Sequence, residues 1–180
     1  MRITILGDSL DPRVAPAREA IGHWSNEFRR LNRRVRFDSG TVRPNPVADD
    51  AVRAAQGEVL FGGGPSTSRL LAKLSDVPAD IVIVLTQTDL ISFSVRWQSE
   101  SQGIVAMRRG DIWPLSLPNT VRNVVAHELG HVLGLVHNGD STTLMCGRPA
   151  SCRPTAFVSD SARFFPLTAE DERLIESRWP

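Results

Sequence analysis

The chain has 180 residues, 41% hydrophobic and 23% charged, with a formal net charge of +1. That length suits one domain with a substantial core, and the near-neutral balance argues against a general nucleic-acid binder. No apolar run approaches the ~18–20 residues that cross a bilayer, so no membrane-spanning helix is expected.

Ile3–Leu6 reads as a short buried strand. It has one basic residue before it and no small-residue cleavage site after it, so it is not read as a signal peptide. It runs into Gly7-Asp8-Ser9-Leu10, which resembles the nucleophile block of the GDSL (SGNH) esterases and lipases. The next segment, PAREAIGHWSNEFRRL, spaces Ala17, Ala20, Ile21, Trp24, Phe28 and Leu31 by threes and fours. That is an amphipathic helix opened by Pro16, with His23 on its polar side as a surface histidine. The basic run FRRLNRRVRF follows. Its arginines suit the C-terminal dipole of the helix and read as a solvated helix end rather than a phosphate site.

Val35–Phe37 is expected as a second strand, then Pro44-Asn45-Pro46 as a turn and Val47–Gln56 as a short helix. FGGGPSTSRLLAKL lacks both the Gly-Lys-Ser/Thr ending of a P-loop and the GxGxxG spacing. It reads as a turn capped by Ser66 or Thr67 into a helix through Leu74. Ile81–Leu85 is a continuous apolar run and so a strand buried on both faces. Ile91–Trp97 alternates as a further strand, and Gly103–Met107 is another. The order implies an α+β fold with a mostly parallel sheet and helices against it. After Gly134 the chain turns to proline-rich loops, and Thr168-Ala169-Glu170-Asp171 opens a final helix with an N-cap and an acidic first turn. The expectation is one domain, 1–180, with an N-terminal lobe (1–134) and a loop-rich C-terminal lobe (135–180). Cys146 and Cys152 lie close together, and their spacing fits a disulfide as well as two thiols.

The chemistry concentrates in NTVRNVVAHELGHVLGLVH. Val121, Val124, Val125, Leu129 and Val132 give Asn119–Leu133 the apolar face of a helix. His127 and His131, four residues apart, project from one face and can share one cation. Glu128 stands beside the metal and off the ligand line, as a base acting on a metal-bound water must. A catalytic zinc takes three protein ligands. Gly134 can end the helix in a left-handed turn that returns His137 to the metal. Adding Gly134 and His137 at these offsets makes coincidence rarer by a factor on the order of several hundred.

HELGHVLGLVH fits HExxHxxGxxH and so resembles the zinc signature of the metzincin metallopeptidases. It is nearest in wording to the matrixins (matrix metalloproteinase-like catalytic domains), which also end in a helix introduced by a phrase like Pro166-Leu167-Thr168-Ala169-Glu170-Asp171. The resemblance implies a zincin-like fold and a zinc-dependent endopeptidase. One Zn²⁺ is held by His127, His131 and His137, and a water on it is activated by Glu128. It implies Met145, in Thr142-Thr143-Leu144-Met145, as a methionine turn packed beneath the metal. A protein or peptide substrate is implied to lie extended along a sheet edge. Gly103–Met107 is assigned to that edge, with Gly103, Ile104, Val105 and Ala106 as contacts. An apolar pocket near Val124 and the loop after Met145 would take the side chain following the cleaved bond. A monomer is expected. The resemblance favours secretion, with a cytoplasmic location left open.

Asn138 departs from the serine usual in matrixins. The chain has no tyrosine, so a Met-turn tyrosine is excluded, and beyond the motif only His23 is left for a second zinc site. Structural calcium through Asp38, Asp89 or Asp111 is an alternative without a calcium-loop spacing. A zinc protein without turnover is a second reading, against which Glu128 weighs. The serine esterase is the third. It needs a histidine base held by an acid, yet the chain has no Asp-x-x-His and no histidine after His137. Ser9 is therefore expected to be structural.

Overall fold

The computed structural model describes residues 1–62, 64–96, 102–147 and 162–180. Five strands, β1 (Ile3–Leu6), β2 (Thr41–Arg43), β3 (Ile81–Leu85), β4 (Phe93–Arg96) and β5 (Gly103–Met107), form one sheet in the order β2-β1-β3-β5-β4. All pairs are parallel except β4 with β5. The helices are α1 (Val14–Arg30), α2 (Asp49–Phe61), α3 (Ser66–Leu74), α4 (Pro118–Val132) and α5 (Ala169–Arg178). None is long and apolar enough to cross a membrane.

Alternation along the strands divides the core in two. Ile3, Ile5, Ile83, Val105 and Met107 pack with α1 and α4. Leu6, Val82, Val84, Ile104 and Ala106 pack with α2 and α3 on the other face. With both faces covered, β1, β3 and β5 read as near-continuous apolar runs. Across the first layer, buried Trp24 donates from Nε1 to the Ala126 carbonyl at 2.8 Å, fixing α1 against α4. Losing a buried indole of this kind costs about 3–5 kcal/mol. At the far end, Thr168 and Asp171 form the expected reciprocal cap of α5, at 3.1 and 2.9 Å.

Several expectations need correction. β5 is not an edge: β3 lies on one side of it and β4 on the other, and its five residues are buried. The backbone of Gly103, Ile104, Val105 and Ala106 is thus committed to the sheet, and the edge beside α4 is β4. Val35–Phe37 is not a strand. The Asp38 carboxylate takes the Ile3 N–H at 3.0 Å that a ladder bond would use, and the second strand starts at Thr41. α2 runs on to Phe61, past the expected end. α3 has no cap from its own side chains; Glu58 of α2 accepts from the Thr67 N–H at 2.7 Å. The basic run behaves as a helix end, with Arg30 bridging Glu27 and Glu172 at 2.6 Å each.

His23 is half-buried and not the surface histidine expected. Its ring stacks on Phe164 with centroids 4.2 Å apart, and Nε2 is buried without a hydrogen-bond partner. Burial holds its pKa below the ordinary value of 6.5. The unfolded chain therefore takes up a proton near pH 6.5 that the folded chain resists, so stability present above that pH is lost as the pH falls below it. In chelator-treated protein, His23→Phe should show a shallower loss of denaturation free energy between pH 7.5 and 5.5 than the parent. The difference is bounded by one proton, about 1.4 kcal/mol per pH unit. Parallel curves for the two proteins would assign the acid sensitivity elsewhere.

Candidate metal centre

α4 begins with Pro118 at its first turn, where a missing N–H costs nothing. It ends at Gly134, φ +101°, in a six-to-one turn: Leu135 N–H donates to the Gly130 carbonyl at 2.9 Å and Gly134 N–H to the His131 carbonyl at 3.0 Å. A side chain at 134 would be strained by that φ and would also meet Arg178 at 2.3 Å. This turn returns the chain so that His137 reaches the two helical histidines.

The three Nε2 atoms converge. His127 and His131 are 2.9 Å apart, His131 and His137 2.9 Å, and His137 and His127 3.2 Å. Ligand-to-ligand edges of a tetrahedral zinc site with ~2.0–2.1 Å bonds are roughly 3.3–3.4 Å, so the triangle is close to the size such an ion needs. The other ring nitrogens fix the tautomers. His127 Nδ1 donates to the Leu144 carbonyl at 2.6 Å and His131 Nδ1 to the Leu135 carbonyl at 2.9 Å. A carbonyl only accepts, so both protons sit on Nδ1 and both Nε2 atoms present bare lone pairs. Bare lone pairs at this distance repel unless a cation lies among them. Burial keeps the pKa values of His131 and His137 below the ordinary histidine value, which favours the neutral, ligating form. His127 is fully buried and His137 is exposed, so the triangle opens to solvent on the His137 side. Among the described residues this is the one group of three or more side chains placed to hold a metal.

Glu128, 3% exposed, accepts from Ser94 Oγ of β4 at 2.9 Å. Burial pushes its pKa up to about 8, while the Ser94 hydrogen bond pulls the other way. Met145 is fully buried, its sulfur against α4 at Gly130, where an added Cβ would lie 2.6 Å from Sδ and 3.2 Å from the Trp24 ring. His137 in turn rests on Gly147, where an added Cβ would lie 2.2 Å from the imidazole. Asn138 ties the segment together: its N–H donates to the Met145 carbonyl at 2.9 Å, and its carbonyl accepts from Gly147 at 3.1 Å. Cys146 is disulfide-bonded; the chain's one other cysteine, Cys152, lies outside the described residues.

Four contributors escape the motif: the carbonyls of Leu135 and Leu144, the Ser94 hydroxyl, and the missing side chain of Gly130. Val124 is 2% exposed and packs into the core, so it offers no surface to a substrate. The loop after Met145 lies largely outside the described residues, from 148 to 161. Asp38 is spent on backbone N–H groups, Asp89 on Arg108 and Asp111 on Arg109, so these aspartates do not gather as a calcium site. Ser9 is exposed in a turn, at a cleft of about 740 Å³ also lined by Asp8, Arg43, Asn45, Asp49 and Gln87. No histidine lines that cleft, which leaves the serine without a base. Ser9→Ala should change stability by no more than ~0.5 kcal/mol and leave any hydrolysis intact, as checked by denaturation and an activity assay.

No protein-family model matches the chain, and none of the curated proteins compared with it does. Solved structures resemble it in fold. The archaemetzincin of Methanopyrus kandleri is 17% identical with a TM-score of 0.56, over 99% of this chain and 94% of that one. A zinc-dependent peptidase of Methanocorpusculum labreanum (strain Z) is 13% identical with a TM-score of 0.47, over 97% and 98%. The three-histidine centre thus sits on a fold shared with archaemetzincin.

Proposed function

We propose that this protein is a zinc-dependent endopeptidase with a matrixin-like centre. The observation that carries the reading is the triangle of Nε2 atoms at 2.9–3.2 Å, with the Nδ1 protons of His127 and His131 held by backbone carbonyls. Three imidazoles with one open side fit a catalytic zinc, whereas structural sites are closed by a fourth protein ligand. The fold shared with archaemetzincin supports the coarser part of this reading, a zinc peptidase.

A zinc ion held there supplies Lewis acidity toward a water and toward the scissile carbonyl. Glu128 takes the proton of the attacking water on a carboxylate oxygen and delivers it to the leaving amine nitrogen. Met145 packs behind α4 and contributes shape alone.

β4 replaces β5 as the docking edge, since of the two strands that end the sheet, β2 and β4, it is the one packed beside α4. An extended peptide adds to such an edge by main-chain hydrogen bonds. That mode needs neither chain terminus, which suits cleavage within a protein. Glu128 also favours turnover over a purely metal-binding role, because the imidazoles alone suffice to hold an ion while a carboxylate off the ligand line suits proton transfer.

The test joins a metal assay to digestion of a denatured protein mixture. About one zinc per chain and cleavage abolished by a chelator are expected. Protein without zinc overturns the reading, and zinc-loaded protein that cleaves nothing replaces it with the binding protein.

A further inference from the structure

We propose that Ser94 is a positioning residue, its hydroxyl holding the Glu128 carboxylate in the orientation that proton transfer requires; this rests on the peptidase reading above. The register of the sheet places Ser94 at the end of one row. Val42 pairs with Ile5, Ile5 with Ile83, Ile83 with Val105, and Val105 with Ser94. The other four members of the row are apolar and pack in the layer of α1 and α4. Another apolar residue would complete that surface, so a half-buried hydroxyl there calls for a partner. The partner it has is Oε2 of Glu128, at 2.9 Å.

Alternation along β4 makes the placement specific. Phe93 and Val95 turn to the α2 and α3 layer. Ser94 therefore faces α4, the helix that carries both Glu128 and two of the three converging histidines. A carboxylate on one helix has freedom about its terminal torsion, which is broad in glutamate. A hydroxyl from a different element removes that freedom, because strand and helix are fixed independently by the core. Ser94 is also part of the strand proposed to pair with the substrate. The element that receives the peptide thus also sets the orientation of the base.

The experiment compares the full chain with Ser94→Ala and Ser94→Thr, measuring zinc content, thermal midpoint, kcat and KM. Threonine keeps the hydroxyl and suits a strand; alanine removes it. Ser94→Ala should retain zinc and a near-parental midpoint, while kcat falls about 10-fold, the lower end of the ~10–100-fold typical when an outer hydrogen-bond partner is lost. KM should change little, since the hydroxyl acts through the base and not on the substrate. Ser94→Thr should recover most of the lost kcat. The proposal is overturned by a Ser94→Ala protein with parental kcat, by a loss confined to KM, or by a loss that threonine does not repair. A parent that binds zinc and cleaves nothing overturns the peptidase reading instead and takes the role of Ser94 with it.

Discussion

Replacing Glu128 by glutamine should leave zinc in place and lower kcat by about 10²–10⁴-fold, the contribution of a positioned acid–base group. That is about 2.7–5.5 kcal/mol of transition-state stabilisation. Glutamine preserves the size of the side chain and can still accept from Ser94 Oγ, so the packing around α4 survives. What it cannot do is take the proton of the attacking water. Since the base acts in the transition state, the loss should fall on kcat with KM nearly unchanged. Zinc content and cleavage kinetics on one preparation decide the matter. A zinc-loaded Glu128→Gln protein working near the parental rate would remove the base from the mechanism. Glu128→Ala should behave alike in kcat, with an added stability cost from the space left beneath β4.

His137→Ala should strip the metal. Structural zinc in small peptides is bound with ~10–16 kcal/mol over four ligands, so one ligand accounts for roughly 3–4 kcal/mol, or about 10²–10³-fold in affinity. His137 is exposed and belongs to neither the helix nor the sheet, so its removal should leave the fold intact. Parental zinc affinity in this variant, measured by competition with a chelator, would dismiss the third ligand.

The convergence of three histidines was legible in the sequence because its geometry is local. Four residues along a helix put His127 and His131 on one face, and a glycine at the helix end brings His137 back. What encloses them was not legible, because it arrives from far along the chain. Ser94 meets Glu128 through strand order, and the Leu144 carbonyl meets His127 from 17 residues further along the chain. The edge strand is a different case. Gly103–Met107 is as uninterruptedly apolar as Ile81–Leu85, and the rule that makes one interior makes both interior. Phe93-Ser94-Val95-Arg96 alternates, which is the pattern of a strand with one polar row. Val35–Phe37 carried strand propensity and failed because a side chain, Asp38, outcompeted the backbone for the Ile3 N–H.

Gly130 has a consequence for how the molecule moves. Trp24 from α1 and Met145 from the segment after His137 both close on this one position of α4, so three distant segments share a single contact. Loosening any of them exposes core surface of the others, which sets this junction toward the stable end of the molecule's local openings. His127 and His131 therefore sit on a helix clamped from two sides. Whatever adjustment a bound peptide demands has to come from segments outside that junction, and substitutions that soften position 130 should blur the centre before they melt the protein.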